Sequence, residues 1–291
     1  MTNDHEVAAT LASEAGELLV AIRSRGGSEG DRLSNELLLR RLAELRPDDA
    51  VLSEESVDDP VRLERRRVWI VDPLDGTREY GEAPREDWAV HVALAVDGRP
   101  LVGAVALPAV GRVFSTSNPP VVAPPVAGPI RLAVSRTRPP ACVDDLLGRL
   151  DAVLVPMGSA GAKAMAVVRG LVDVYAHSGG QYEWDSCAPV AVASAAGLHV
   201  SRLDGSPLRY NEPKSVPARP ARFPPRDRWS RPRGFEGSLA PRVWHCHSPR
   251  HAEITPRGLG LVRDELPQMP TSRASLRAHG HDRPELGVLV R

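Results

Sequence analysis

Between residues 5 and 24, Val7, Leu11, Leu18, Leu19 and Ile22 fall on one side of a helix, while Glu6, Glu14, Glu17 and Arg23 lie elsewhere. Leu33, Leu37, Leu38, Leu42 and Leu45 repeat the pattern over 33–46, and Pro47 closes it. Each stripe needs a surface to pack on. That surface is predicted next, as a short β-branched run VWIVD (68–72) ending in an acid and a proline, the pattern of a buried strand whose last residue emerges at the sheet's rim. WAVHVALAV (88–96), LVGAVAL (101–107) and RVFST (112–116) follow as antiparallel strands, with Asp97-Gly98 as the hairpin turn. After the Pro-rich stretch 119–129, strand and helix alternate: IRLAVS (130–135), a helix near 141–150, VLVPMG (153–158), a helix from 160, VDVYAH (172–177) and a helix at 186–197. Alternation of this kind implies a second α/β layer, so the fold class is α/β (α+β).

The chain has 291 residues, with 37 basic and 37 acidic side chains. That length suits about two domains, and the zero net charge hides a division. Residues 214–291 hold 14 Arg and 1 Lys against 7 acids, a net +8, which leaves −8 in residues 1–213. The same 78 residues carry 11 Pro, and PARPARFPPRDRWSRPRG lets neither a helical nor an alternating pattern persist. We divide the chain at 1–129, 130–213 and 214–291, the last being either a disordered basic tail or the product of a shifted reading frame. His245, Cys246, His247 and His251 cluster there without the spacing of a zinc site. Cys142, Cys187 and Cys246 are odd in number and far apart, so reduced thiols are expected. No run of about 18 apolar residues occurs and acids precede the first apolar positions, so neither a membrane span nor a secretory signal is expected, and the protein is assigned to the cytoplasm.

The most informative stretch is Asp72-Pro73-Leu74-Asp75-Gly76-Thr77, directly after the strand, with Glu54-Glu55 before it and Trp184-Asp185 well after it. Two Asp separated by Pro-Leu at a strand end turn both carboxylates toward one point. Pro73 interrupts the strand and Gly76 permits a close backbone approach. Hard divalent cations such as Mg²⁺ take oxygen ligands of this kind. Gly76 and Thr77 offer N–H groups to a phosphate if a helix begins there, and Gly158-Ser159 with Lys163 form a second such start. Singly, each residue also reads as structure: Asp72 and Asp185 as caps, Asp75-Gly76 as a turn, Glu54-Glu55 and Lys163 as solvated positions.

Together, E-E-S (54–56), W-I-V-D-P-L-D-G-T (69–77), G-S-A-G-A-K (158–163) and W-D-S (184–186) resemble the inositol monophosphatase superfamily of Mg²⁺-dependent, lithium-sensitive phosphatases, over about residues 5–213. G-T-R-E-Y (76–80) is similar to the G-T-[KR]-E-F of its 3′(2′),5′-bisphosphate nucleotidases, with Tyr80 in place of Phe. GSAGAKAMAV, EWDS and SRLDGSPLRYN look most like the actinobacterial nucleotidases of sulfate assimilation. The resemblance implies a layered αβαβα sandwich of the inositol monophosphatase/fructose bisphosphatase type. It implies one Mg²⁺ on Glu54, Asp72, Thr77 and the Leu74 carbonyl, a second on Asp72, Asp75 and Asp185, and a looser third near Glu55. Asp31 and Thr77 would together deprotonate the attacking water. At the substrate end it implies Gly76, Thr77, Gly158, Ser159 and Lys163, with Glu183 near a ribose hydroxyl and Arg209 and Tyr210 beside a nucleotide. His91 receives no role.

The implied activity is hydrolysis of the 3′-phosphate of adenosine 3′,5′-bisphosphate, and of its sulfated precursor. Inositol monophosphate or fructose 1,6-bisphosphate are the alternatives within the fold, and an inactive paralogue whose basic tail binds nucleic acid is the alternative outside it. Complete carboxylates argue against the latter, so no nucleic-acid partner is expected; a homodimer is left open. After Tyr210-Asn211 the family continues with a strand and a final helix, for which the sequence offers no evident substitute, and low stability of the second domain is expected in consequence.

Overall fold

The computed structural model describes residues 3–213, apart from 123, 140, 141, 149, 179, 180, 203 and 204, and the backbone of 229–230, 245–246 and 286–290. Helix α1 (Asp4–Ile22) opens with a capping box, Asn3 Oδ1 accepting from Glu6 N at 2.9 Å and Glu6 Oε2 from Asn3 N at 3.3 Å. Helix α2 (Gly27–Leu45) starts six residues before the predicted 33, so Asp31 lies inside it and is not its cap. Both helices lie on one face of a five-stranded sheet, where Leu11, Leu19, Leu38 and Leu42 pack with Trp69, Val71, Val90 and Val92.

That sheet runs in sequence order: β1 (Ala50–Ser53), β2 (Arg67–Asp75), β3 (Ala89–Val96), β4 (Arg99–Leu107) and β5 (Arg112–Ser115). β1 is parallel to β2 and the remaining pairs are antiparallel. β1 is absent from the sequence prediction because its four residues are too few to show a period. β2 is buried along nearly its whole length, as its unbroken apolar run requires. Its pairing with β3 shifts register between Asp72 and Asp75, a bulge that swings the strand's end away from the ladder. A short helix α3 (Thr77–Gly81) follows.

The second sheet has the order β7-β6-β8-β12-β9, from β6 (Ile130–Ser135), β7 (Ala152–Met157), β8 (Val174–Ser178), β9 (His199–Ser201) and β12 (Leu286–Val290); β10 (Trp229–Ser230) and β11 (His245–Cys246) form a separate two-residue ladder. Between the sheets lie α5 (Ala160–Val168) and α6 (Glu183–Ala195), packed with Ile70, Ala93 and Val105 of one sheet and Ala133 and Tyr175 of the other. Gly103 admits α6 closely: a Cβ there would meet the Ala188 carbonyl at 2.8 Å. Helix α4 (Cys142–Leu147) covers the outer face through Val143, against Leu132, Val134 and Ala176. The layers therefore read αβαβα.

β12 corrects the expectation that nothing replaces the family's closing strand. Residues 286–290 run antiparallel to both β8 and β9 and fill the position between them. Most of the predicted tail 214–291, including His247 and His251, lies outside the described residues. No described helix is long and apolar enough to cross a membrane.

A strand flanked on both sides cannot be removed without orphaning two ladders. Val288 pairs with Ala176 on one side and Ser201 on the other. Val288→Pro is expected to cost roughly 1–3 kcal/mol for each buried partner group left unpaired, seen as a lower midpoint in thermal denaturation followed by circular dichroism. An unchanged midpoint would show the strand to be dispensable.

Candidate active site

The bulge at the end of β2 is where the sequence's paired carboxylates meet the rest of the molecule. Leu74 N–H donates to Asp72 Oδ1 at 3.1 Å, closing a tight turn through Pro73. Gly76 takes φ +91°, the left-handed region, and caps α3. Thr77 Oγ1 then lies 3.1 Å from Asp31 Oδ2 and 3.3 Å from the Leu74 carbonyl oxygen. The Asp31–Thr77 pair, 46 positions apart in sequence, is thus assembled by packing α2 against β2 and α3. Gly30 makes that packing close, since a Cβ there would meet Leu19, Tyr80 and Leu74 at 3.1–3.3 Å.

Asp72 and Asp75 are 1% and 7% exposed. Asp75 has four neighbours: Ser159 Oγ at 2.5 Å, Gly161 N at 2.6 Å, Ala160 N at 3.1 Å and His91 Nε2 at 3.2 Å. Burial alone would raise its carboxyl, but His91, Ser159 and the Gly161 amide outweigh burial and hold it at about 2. Asp72 is pushed the other way, by burial and then by Asp75, Glu54 and Asp185, and its Oδ2 has no hydrogen-bond partner. Asp185 is not the N-cap, which is Tyr182, but lies in the first turn of α6, where its side chain accepts from Tyr182 N at 2.7 Å. Burial and the charges of Asp75 and Glu54 raise it to about 7. Burial and Glu55 likewise raise Asp31 to about 7, and its Oδ1 is unpartnered. Desolvation, followed by the charges of Asp75 and Glu55, raises the Glu54 carboxyl above its ordinary value. Glu55 stands beside it, exposed.

Buried carboxylates with unpartnered oxygens and mutually raised proton affinity are a charge distribution that wants a cation. Oxygen donors from Asp72, Asp75, Glu54 and Asp185 suit a hard divalent ion, and Asp72, Asp75 and His91 present ligand atoms within 4.8 Å of one another.

The substrate-end residues fare differently. The start of α5 does face an acid, but that acid is Asp75: its helix N-terminus is taken by the protein's own carboxylate, while Gly158 N donates to Asp87 Oδ2 at 2.6 Å. Lys163 is 5% exposed, not solvated, and its Nζ donates to the Gly158 and Ser159 carbonyls at 3.1 and 2.5 Å. Glu183 accepts from the Asn211 and Glu212 amides at 2.7 and 2.8 Å. Arg209 reaches the Asp97 carbonyl at 3.5 Å, at the hairpin turn of β3 and β4, the end of β3 remote from Asp75. Tyr210 is buried, with its hydroxyl 3.3 Å from Ser186 Oγ. The segment SPLRYN leads on to Asn211, which joins Arg62. Cys187 is buried, and burial pushes its thiol well up, so it is no nucleophile.

The sequence profile of the inositol monophosphatase family matches residues 27–229. The chain belongs to the inositol monophosphatase family. Within it, the chain is 54% identical over 231 residues to the 3′-phosphoadenosine 5′-phosphate phosphatase of Mycobacterium leprae, covering 72% of this chain and 84% of that one. It is 31% identical over 198 residues to the 3′(2′),5′-bisphosphate nucleotidase CysQ of Escherichia coli K12, covering 64% and 79%. Among solved structures of the inositol monophosphatase family, CysQ from Bacteroides thetaiotaomicron superposes with a TM-score of 0.60 at 25% identity, over 71% of this chain and 92% of that one.

Without a cation, this family's carboxylate cluster carries a pH signature. Asp31 and Asp185 bind protons more tightly folded than unfolded, so between about pH 4 and 7 the folded state holds more protons and stability falls as pH rises. His91, also raised in the fold, acts in the same direction at higher pH, whereas the lowered Asp75 contributes only below about pH 4. Differential scanning fluorimetry of chelator-treated protein is expected to show a melting temperature that drops from pH 5 to pH 8, and a millimolar divalent cation should recover most of the loss at pH 8. A profile that ignores both pH and cation would contradict this charge assignment.

Proposed function

We propose that the chain is a Mg²⁺-dependent 3′(2′),5′-bisphosphate nucleotidase that hydrolyses the 3′-phosphate of adenosine 3′,5′-bisphosphate. The observation that carries this proposal is the meeting, at the rim of the first sheet, of the Asp72/Asp75/Asp185 carboxylates with the Asp31–Thr77 pair. The 54% identity to a 3′-phosphoadenosine 5′-phosphate phosphatase supports the choice of substrate.

Glu54, Asp72, Thr77 and the Leu74 carbonyl would hold one ion, and Asp72, Asp75 and Asp185 a second, with Glu55 placed for a looser third. The bound cations supply charge neutralisation for the phosphate dianion and make water acidic enough to attack near neutral pH. The chain's own residues provide alignment and the proton path. Asp31, raised to about 7, is matched to a general base working near neutrality. Thr77 Oγ1 takes a proton from the attacking water as it passes its own to Asp31 Oδ2. Gly76 and Thr77, at the start of α3, would offer their N–H groups to the phosphate.

The leaving nucleoside would lie beside Asp185. A shallow, open cleft lies there, bounded by Ala160, Tyr175, His177, Pro189 and Leu208. Its lining is apolar and partly aromatic, as a purine ring requires and a polyol does not.

Phosphate release by the purified chain with Mg²⁺ tests the proposal, using adenosine 3′,5′-bisphosphate, inositol 1-phosphate and fructose 1,6-bisphosphate. Turnover led by the nucleotide and inhibited by Li⁺ is expected. Asp31→Asn should lower kcat by about 10²–10⁴-fold, the usual worth of a general base, with little change in KM. Preference for either sugar phosphate would overturn the substrate assignment, and an Asp31→Asn enzyme of undiminished kcat would overturn the general base.

A further inference from the structure

Side chains along β3 alternate between two packed faces. Val90, Val92 and Leu94 join the layer of α1 and α2, and Ala89, Ala93 and Ala95 join the layer of α5 and α6. His91 breaks the second series with an imidazole that has no exposed surface. A buried polar ring in a row of alanines is costly unless its nitrogens are used, and here both face acceptors. Nδ1 lies 2.9 Å from the carbonyl oxygen of Trp184. Nε2 lies 3.2 Å from Asp75 Oδ2, off the direction of an ideal hydrogen bond. Asp72 is the direct cross-strand partner of His91, so the two share a face, and its Oδ2 is 4.0 Å from Nδ1.

These contacts join two parts of the cluster that come from separate layers. Asp72 and Asp75 are carried by the bulged end of β2, Asp185 by the first turn of α6. That turn is weakened from within. Pro189 sits inside α6 and has no N–H to give the Asp185 carbonyl four residues before it. The neighbouring carbonyl, that of Trp184, is the one His91 engages. On its other side the ring is backed by Gly161, where any Cβ would run into Nε2, and the Gly161 amide donates to the same Asp75 oxygen. Strand, helix and carboxylate are thus keyed to one imidazole.

We propose that His91 is a positioning residue: by bridging Asp75 and the Trp184 carbonyl it sets the separation of Asp75 and Asp185, and so the strength of the cation position those two share. No change in its protonation is invoked, and it touches neither substrate nor reacting atoms. The proposal rests on the cation assignment made above and not on the choice of nucleotide.

The test uses the full chain with His91→Leu, a near-isosteric apolar replacement, and His91→Gln, whose amide can reach one of the two acceptors. Mn²⁺ binding is followed by electron paramagnetic resonance and calorimetry, alongside kcat and KM. In His91→Leu one bound ion should weaken by about tenfold or more, the usual cost of removing a group that orients metal ligands, while another keeps its affinity. kcat should fall with KM nearly unchanged, and His91→Gln should recover part of both losses. If His91→Leu does not fold, the His91→Gln isotherm alone decides. Wild-type stoichiometry and affinity in a folded variant would reduce His91 to a core filler and overturn the proposal. Wild-type protein that binds no Mn²⁺ would overturn it together with the cation assignment. His91-dependent ion binding in a chain that releases no phosphate from the nucleotide would leave it standing and remove the nucleotide reading alone.

Discussion

The rest of the structure depends on keeping like charges together in a place that excludes water. Two unit charges 4 Å apart repel by about 4 kcal/mol at an effective dielectric of 20, and Asp72, Asp75 and Asp185 are all within each other's influence in the buried seam between the first sheet and α6. The protein does not relieve this by spreading the acids apart. It fixes one of them, Asp75, with Ser159, the amides of Ala160 and Gly161 and the His91 ring. Asp72 and Asp185 are left to share the remaining charge problem, which a divalent cation resolves.

The start of α5 shows how this tension is turned into architecture. A helix N-terminus attracts anions, and one after a Gly-Ser turn looks like a phosphate cradle. Here it is filled from within. Ser159 adopts φ +45°, an unusual value for a residue with a side chain, and in that posture its hydroxyl both donates to Asp75 and accepts from Ala162 N. Gly158 lies flat against Glu79, which is paired in turn with Arg136 at 2.6 Å. The second helical layer therefore serves the first sheet's carboxylate before it serves any ligand.

What the sequence discloses and what it hides follow from the same physics. The αβαβα layering, the Asp72–Asp75 pair and the Asp31–Thr77 partnership are legible because each rests on a short motif whose backbone demands are local or on a family pattern that carries its own spacing. The surroundings of Arg209, Tyr210 and Glu183 are not legible, because a polar or aromatic residue gives no hint of what its segment will meet; the contacts that hold the segment, Asn211 with Arg62 and Glu183, are long-range. His91 was readable in principle, as the lone polar position in a strand of alternating apolar residues. β12 was not, since LGVLV follows a long stretch of arginine and proline and gives no sign that its partners stand far upstream.

The β8 partners are over 100 positions away, Leu286 meeting Ser178 and Val290 meeting Val174, and the β9 partners are nearly as distant, Val290 meeting His199. During synthesis at about 5–20 residues per second, the first sheet has all five strands once residue 115 has emerged, whereas β8 and β9 must wait for a strand made many seconds later. Closure of so long a loop is slow, and open strand edges recruit other chains in the meantime. The two halves of one carboxylate cluster thus mature on different clocks, with Asp72 and Asp75 in place while the second sheet is still open. A chaperone-rich cell and a dilute refolding tube would treat this protein differently for that reason alone.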